Sequence, residues 1–556
     1  MIGMAIAEKH LAAMYNKENF PIVDHYTYVI CGDGCLQEGV TSEASSLAGH
    51  LGLGKLILLY DDNCITIDGS TELSFTEDVA KRYEAYGWHV QTVTDGNYDH
   101  ESIHEAVLQA KKVTDKPSLI KIRTTIGLGS ALENTYKVHG APLKAEDMEN
   151  TKTFFGLDPK KSFNVSEEVK AFYDKKASGQ VLENEWKELF ARYTAAYGPE
   201  AAELTRRMDG ELPTGWKESL PVYTDTDKPR ATRQYSEVAL NAVAGIMPEM
   251  VGGSADLTPS NLTKLTMSGD FQKDTPIGRY LRFGVREHGM AAICNGIFAH
   301  GGLRPFCATF FNFIGYALGA VRISALSRFG VMYIATHDSI FLGEDGPTHQ
   351  PIEMLASLRS MPNMYVFRPA DGNEVSGAYA WGIEHAASPS LLALTRQAVT
   401  PLALSSIENT YMGAYIVQDV PEPALVLIAS GSEVGLAFEA AALMSGCPIR
   451  IVSMPCRKLL DEQSLEYKKS LFLGSGPIPV MSIEAAATFG WSDYSHVQFG
   501  LDRFGASGNI SDLKKAFGFN AQAVAAEVNG MLEHYKGRTA PDLFDKPARR
   551  VIAEEH

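Results

Sequence analysis

The sequence predicts an α/β protein of three consecutive domains with mainly parallel sheets. Short apolar runs of strand length alternate with amphipathic helical stretches from Tyr26 to about Lys121, again from Glu237 to Arg396, and a third time from Ala424. Alternation of this kind joins parallel strands through right-handed crossovers. Two irregular stretches, Asp209–Arg233 and Thr400–Pro423, interrupt the pattern and read as interdomain linkers. At 556 residues the chain has room for roughly three or four domains. They are expected over residues 1–210, 232–400 and 420–556.

The elements follow in order. Met1–Asn16 has helical periodicity, but no Ser, Thr, Asp or Asn precedes it as a cap, so it reads as a chain that starts inside a helix. Tyr28–Cys31 has the character of a buried strand. Gly32-Asp33-Gly34 breaks it, and the two glycines permit a tight turn and close approach of a ligand to the backbone. Thr41–Leu51 reads as a helix, and Leu56–Tyr60 as a second strand ending at Asp61-Asp62-Asn63. Leu119–Thr124 is a further strand, Thr125–Gly140 is too glycine-rich and polar for regular structure, and Glu167–Tyr197 is charged and helical. In the second pattern, strands are expected at Tyr280–Val285, Val331–Ala335, Met364–Phe367 and Ser390–Thr395. The third opens on the strand Ala424–Ser430 and a helix through Met444, followed by strands Ile449–Ser453 and Pro479–Ile483.

Composition narrows the function. With 45% hydrophobic and 21% charged residues and no apolar run of membrane-spanning length, the chain reads as a soluble globular protein. Fifty basic residues against 67 acidic ones give a net charge of −17, which argues against nucleic-acid and membrane-surface partners. An anionic ligand then requires a local basic pocket. The seven cysteines form no CxxC pair and no zinc spacing, and read as reduced structural thiols of a cytoplasmic protein. No secretory signal or transit peptide is evident.

A crossover between the first two strands places Asp33 and Asn63 at the carboxyl edge of one sheet, where open α/β sheets bind ligands. Two oxygen donors beside a glycine suit Mg²⁺ or Ca²⁺ holding a diphosphate. No Gly-Lys-Ser/Thr follows as in a P-loop, and position 37 lacks the glycine of a dinucleotide fingerprint. An ordinary Asp-Gly turn is the plainer alternative, and the asparagine at the matching end of the next strand argues against it. Elsewhere, Glu287 stands in FGVREHGM, where a glutamate is by itself a favourable charge at a helix N-terminus. Phe310, Phe313 and Tyr316 recur at helical spacing, a stripe that is usually core. His139 lies in VHGAPL, His337 in ATHDSI, and Asp345 and His349 in GEDGPTHQP. The spacing of the last two histidines fits no helical zinc motif. Arg233 (ATR), Ser260 (TPSN) and Arg396 (LTRQ) complete the polar set, arginine being suited to phosphate by its planar fork of donors.

GDG followed some thirty residues later by Asn is the signature of thiamine-diphosphate enzymes, and the stretch LQEGVTSEASSLAGHLGLGKLILLYDDNCITIDG resembles transketolase in particular. The resemblance covers essentially the whole chain, with its motifs in the first two domains. It implies two thiamine-diphosphate-binding-type domains, the first for diphosphate and metal and the second for the pyrimidine, followed by a C-terminal α/β domain. It implies that Asp33, Asn63 and the backbone carbonyl of Ile65 hold Mg²⁺ or Ca²⁺, and that Gly34, Asn63 and His139 contact the cofactor. Glu287 is implied to hydrogen-bond the far nitrogen of the aminopyrimidine, against a wall of Phe310, Phe313 and Tyr316. Arg233, Ser260, His337 and Arg396 are implied to bind the phosphate of a sugar phosphate. Asp345 and the histidines, His139 and His349 among them, are implied to bind sugar hydroxyls and shuttle protons. The implied reaction transfers a two-carbon ketol unit from a ketose phosphate such as xylulose 5-phosphate to an aldose phosphate such as ribose 5-phosphate, in the pentose phosphate pathway. A homodimer with sites shared between subunits is implied as well.

Two departures qualify the resemblance. Transketolases carry a further N-terminal segment with several active-site histidines and a glycine-rich loop beside the diphosphate, and the sequence resembles a chain lacking it. A catalytically impaired, truncated relative is therefore one alternative, and a dihydroxyacetone-synthase-like relative another. Phe341 stands in HDSIFLGEDG where the family commonly has glycine, and its ring either narrows the substrate channel or packs behind it.

Overall fold

The computed structural model describes residues 1–546. They form two compact units: residues 1–211 with 270–278 and 299–303, and residues 212–269 and 279–298 with the described residues from 304 onward.

In the first unit, β1 (Thr27–Gly32), β2 (Leu56–Asp62), β3 (His89–Val93) and β4 (Ser118–Arg123) form one sheet in the order β1-β2-β4-β3. All pairs are parallel. Ile57, Val93, Ile120 and Ile122 bury one face against Ala106 and Ala110 of the helix His100–Lys112. The parallel register, with Gly32 opposite Asp61, sends both chains out of the sheet at one edge. The expected turn at Gly32-Asp33-Gly34 is corrected. Gly32 is extended at φ −104°, and Asp33 already begins a short helix, Asp33–Gln37. Neither glycine adopts a positive φ. What they supply is open space, since a Cβ at either position would meet nothing within 4 Å. The charged stretch Glu167–Tyr197 is two helices, Glu167–Tyr173 and Lys176–Ala196. They break where the Asp174 carboxylate takes the backbone N–H of Lys176 at 3.1 Å.

The second unit holds two large sheets and a two-stranded antiparallel pair, Arg230–Ala231 with Ala398–Val399. The first contains β5 (Met250–Ser254), β6 (Tyr280–Arg282), β7 (Arg304–Phe310), β8 (Met332–Thr336), β9 (Tyr365–Phe367) and β10 (Ser390–Leu394), in the order β9-β10-β8-β7-β5-β6. It is parallel throughout. Sequence reading missed β5 and β7, whose Gly252-Gly253 and Arg304-Pro305 are poor strand formers. Both glycines are required by close strand approach, because a Cβ would fall within 2 Å of a carbonyl oxygen of the adjoining strand. The stretch taken as the first linker is packed rather than free. Trp216 and Leu220 join the core around Tyr235, and the helix Thr232–Ile246 begins before Arg233.

The last sheet contains β11 (Tyr415–Gln418), β12 (Leu425–Ala429), β13 (Ile449–Ser453), β14 (Val480–Ile483) and β15 (Val497–Phe499), in the order β11-β13-β12-β14-β15. Its edge strand β11 pairs antiparallel to β13 and lies inside the second expected linker. Four residues flanked by Gly and Pro give too short a signal to read as a strand. Phe341 packs into the C-terminal core. It is 4% exposed in the core of this last sheet, with its ring 5.9 Å from that of Phe519.

Candidate functional site

Two carboxyl sheet edges carry the candidate residues, and each is described by itself. At the first, Asp33 follows β1 and Asn63 follows β2, and both are buried. The Tyr60 hydroxyl, inside β2, lies 2.6 Å from Asp33 Oδ1 and 3.1 Å from Asp62 Oδ1. One proton cannot serve both acceptors, and the shorter contact takes it. The other oxygen, Asp33 Oδ2, is buried with no hydrogen-bond partner. Burial, with the charges of Asp62 and Asp61 adding to it, holds the Asp33 carboxyl above its usual range. A buried carboxylate oxygen left bare is costly unless a proton, a donor or a cation reaches it. Asn63 Oδ1 accepts the Ile65 N–H at 3.0 Å, which fixes the side chain at this edge. Among the described residues no group of three or more His, Cys, Asp or Glu side chains could hold a metal. The expected set contains one carboxylate, the other two donors being an amide and a backbone carbonyl. His139 is exposed in the loop after β4, which leaves the sheet from the same edge.

At the second edge, rings converge. Phe310 ends β7, Phe313 lies in the following 3₁₀ turn, and Tyr316 lies in the helix Ile314–Leu326. The trio therefore crosses a strand-to-helix junction instead of lining one helix face, and Tyr316 is 71% exposed. Phe310 and Phe313 stack at 5.7 Å. His337, just past β8, packs its ring 3.9 Å from that of Phe310, and His349 sits 5.0 Å from the Phe313 ring. Thr348 Oγ1 lies 2.9 Å from His349 Nδ1. Glu287 is the first residue of the helix Glu287–His300 and is half-buried. Asp345 is exposed on the loop before His349.

The basic groups stand on the same side. Arg233 donates to the Ser260 carbonyl at 2.6 Å, while its Nε–H is buried without an acceptor. Arg396 follows β10 and donates to the Leu342 carbonyl at 2.9 Å. His337 is buried and pushed down to about 3 by burial first, then by the positive charges of Arg233, Arg396 and His349. It is therefore a neutral imidazole at every physiological pH. A neutral ring offers one nitrogen as a hydrogen-bond donor and the other as an acceptor. Its backbone is held at φ +64°, a left-handed conformation uncommon for non-glycine residues and frequent at functional sites.

Sequence reasoning missed three residues that hold this geometry: Tyr60, Asn261 and Arg368. Each is a buried polar side chain, and nothing in composition or spacing marks it. Asn261 stands inside the quoted TPSN, where the phosphate reading drew notice to Ser260 alone.

Comparison with known proteins decides the family. Residues 1–213 match the model described as transketolase, thiamine diphosphate binding domain; residues 228–401 match the transketolase pyrimidine binding domain; and residues 413–520 match the transketolase-like C-terminal domain. The chain belongs to the transketolase family. It is 52% identical over 546 residues to the transketolase of Scheffersomyces stipitis, covering 97% of this chain and 80% of that protein. It is likewise 52% identical to a chloroplastic transketolase of Solanum tuberosum, over 94% of this chain and 72% of that one. Among solved structures, Pichia stipitis transketolase in complex with sedoheptulose 7-phosphate superposes with a TM-score of 0.96 at 50% identity, over 98% of this chain and 82% of that one. Leishmania mexicana transketolase gives 0.94 at 49%, over 97% and 80%. Membership makes this a transferase with thiamine diphosphate as its cofactor. Among the described residues no helix is long and apolar enough to cross a membrane.

Proposed function

We propose that this chain transfers a two-carbon ketol unit from a ketose phosphate such as xylulose 5-phosphate to an aldose phosphate such as ribose 5-phosphate, as in the pentose phosphate pathway. The observation that carries the reading is the second sheet edge. Two arginines and a neutral buried histidine make a small basic pocket in a chain of net charge −17, beside a wall of stacked rings.

Thiamine diphosphate, when bound, supplies the carbon nucleophile and electron sink that cleavage of a ketose C–C bond needs. The chain's own residues do the rest. Asp33, Asn63 and the Ile65 carbonyl hold Mg²⁺ or Ca²⁺, Mg²⁺ being suited to so few protein ligands because phosphate oxygens and water complete its shell. The bare Asp33 Oδ2 supports this assignment. Gly34 and Asn63 line the diphosphate, the open space over Gly34 permitting close approach. Glu287 hydrogen-bonds the aminopyrimidine, and Phe310, Phe313 and Tyr316 pack on it. Arg233, Ser260, His337 and Arg396 bind the sugar's phosphate. His139, His349 and Asp345 meet its hydroxyls, and His139 and His349 move protons there. The assembly is a homodimer that shares its sites between subunits, in the cytoplasm. Apolar side chains exposed near this edge, Tyr316 at 71% and Val285 at 72%, support a partner surface.

A coupled assay with xylulose 5-phosphate and ribose 5-phosphate tests the proposal. Turnover that falls by about 10²-fold or more in Glu287→Ala is expected. Absence of turnover in the wild-type chain, with thiamine diphosphate and Mg²⁺ bound by calorimetry, overturns it.

A further inference from the structure

A neutral imidazole presents an N–H at one nitrogen and a lone pair at the other. Which of them faces a phosphate decides whether His337 attracts or repels it. The hydrogen bonds behind His337 answer this, because they start from a group with a fixed direction. The backbone N–H of Leu257 donates to Ser254 Oγ at 3.2 Å. Ser254 Oγ lies 2.5 Å from Asn261 Oδ1, Asn261 Nδ2 lies 2.7 Å from Thr336 Oγ1, and Thr336 Oγ1 lies 2.8 Å from His337 Nδ1. Ser254, Asn261 and Thr336 are all buried.

Only one proton order satisfies every member. Ser254 accepts from the amide and sends its own proton to the Asn261 carbonyl oxygen. The Asn261 NH₂ then donates to Thr336, whose hydroxyl proton is left to point at His337 Nδ1. Turning the Asn261 amide over reverses the row. The Ser254 oxygen would then accept twice, and its buried O–H would have no acceptor among the hydrogen bonds it makes here, an arrangement native interiors avoid. With Nδ1 accepting, the proton of the neutral ring resides on Nε2.

We propose that Ser254, Asn261 and Thr336 form a proton-ordering relay that holds His337 as its Nε2–H tautomer, so that the ring offers a donor to the phosphate of the sugar. Asn261 and Thr336 are positioning residues in this scheme, acting through His337. The proposal rests on the phosphate reading of the Arg233–His337–Arg396 pocket. It adds to that reading the device that gives the pocket its donor without a charge on the histidine. Charging the ring would set a third cation beside two arginines, whereas the relay supplies the donor while leaving the ring neutral.

The test uses the 556-residue chain with ¹⁵N-labelled histidine, studied by magic-angle-spinning NMR. The His337 resonances are assigned by their loss in His337→Gln. In the wild type, Nδ1 is expected unprotonated and Nε2 protonated from pH 6 to 8. In Asn261→Asp the carboxylate cannot donate, so the Thr336 hydroxyl turns toward it and His337 is expected to switch to Nδ1–H. Thr336→Val removes the hydroxyl that donates to Nδ1 while conserving shape, and a mixture of tautomers is expected. Thr336→Ser is expected to restore the wild-type spectrum. Kinetically, Thr336→Val should raise KM for xylulose 5-phosphate about ten-fold, the factor carried by one hydrogen bond to a charged group. KM for unphosphorylated xylulose should stay within about two-fold. A wild-type Nδ1–H signal, or an Nε2–H signal unchanged in both Asn261→Asp and Thr336→Val, overturns the relay. If the tautomer responds as expected but the two donors shift alike in KM, the relay stands and the phosphate assignment fails.

Discussion

Arg368 donates its Nε–H to Asp338 Oδ2 at 2.9 Å, and neither side chain is more than 1% exposed. Asp338 is the residue after His337, so this pair anchors the backbone that carries the candidate phosphate ligand. Arg368 reaches the other way into the C-terminal domain. Its Nη1 bonds the Ser430 carbonyl and Glu433, its backbone N–H donates to Pro455, and its carbonyl accepts from Gly431. Gly431 sits at φ +56°, where a Cβ would lie 2.9 Å from the guanidinium carbon, so both backbone and space require glycine. Arg368→Met should destabilise the protein by about 3–5 kcal/mol, since two buried carboxylates would lose their counter-charge. Urea unfolding measures this. Adding Asp338→Asn should recover part of the loss, because the two sites interact directly.

How far this was legible in the sequence can be said residue by residue. The parallel α/β pattern was legible because Ile57–Leu59, Ile334 and Leu427 sit in apolar runs of strand length. The candidate residues drew notice because GDG and LTRQ stand at strand ends and GEDGPTHQP in a loop past β8, places where α/β sheets expose polar side chains. Arg368 was not, for a lone arginine after a strand reads as a solvated surface group, and only the arrival of Glu433, at the start of the helix after β12, makes it a buried anchor. β7 was hidden for a related reason. Its Phe310 was counted with Phe313 and Tyr316 as a helical stripe, and three rings at i, i+3 and i+6 look the same when the first belongs to a strand.

The stability of the chain should fall as pH rises toward neutrality through Glu374. This residue is fully buried, and its carboxyl is pushed up to about 7, by burial first and then by the neighbouring Asp371 charge. It accepts from the Ala370 N–H at 2.6 Å and the Tyr415 hydroxyl at 2.8 Å. A folded value above the unfolded one means that the folded state binds more protons between the two, so stability decreases with rising pH across that interval. The urea midpoint of the wild type should therefore drop from pH 5 to pH 8 by more than that of Glu374→Gln. Equal drops would show that this carboxyl is not the group responsible.

Phe341→Ala should separate packing from substrate access. The ring faces Phe519, and the Lys514 ammonium stands 5.5 Å above it. Truncation leaves a cavity in the C-terminal core and should cost about 3–5 kcal/mol. Because the ring packs against Phe519 in the C-terminal core, KM for xylulose 5-phosphate should change by less than about two-fold. A large fall in KM with little loss of stability would instead mean that the ring narrows the approach to the site.

Tyr60→Phe tests the metal edge without touching a ligand. The Tyr60 phenol is raised well above its ordinary range by burial and by the Asp33 and Asp62 carboxylates, so it stays protonated and remains an obligatory donor. Its bond to Asp33 Oδ1 orients the carboxylate and leaves Oδ2, the oxygen proposed for the cation, without a bond from Tyr60. It also opposes the upward shift that burial imposes on Asp33. Without the hydroxyl, Asp33 should rotate more freely and hold its proton to higher pH. Divalent-cation affinity should then fall about 10- to 100-fold, the usual cost of removing a hydrogen-bonding partner of a ligand. The loss should be larger at pH 6 than at pH 8, because the cation requires the ionised carboxylate. Titration with Mn²⁺ followed by electron paramagnetic resonance reads both effects, and does so whether or not the enzyme turns over. Unchanged affinity at both pH values would place the cation elsewhere than on Asp33.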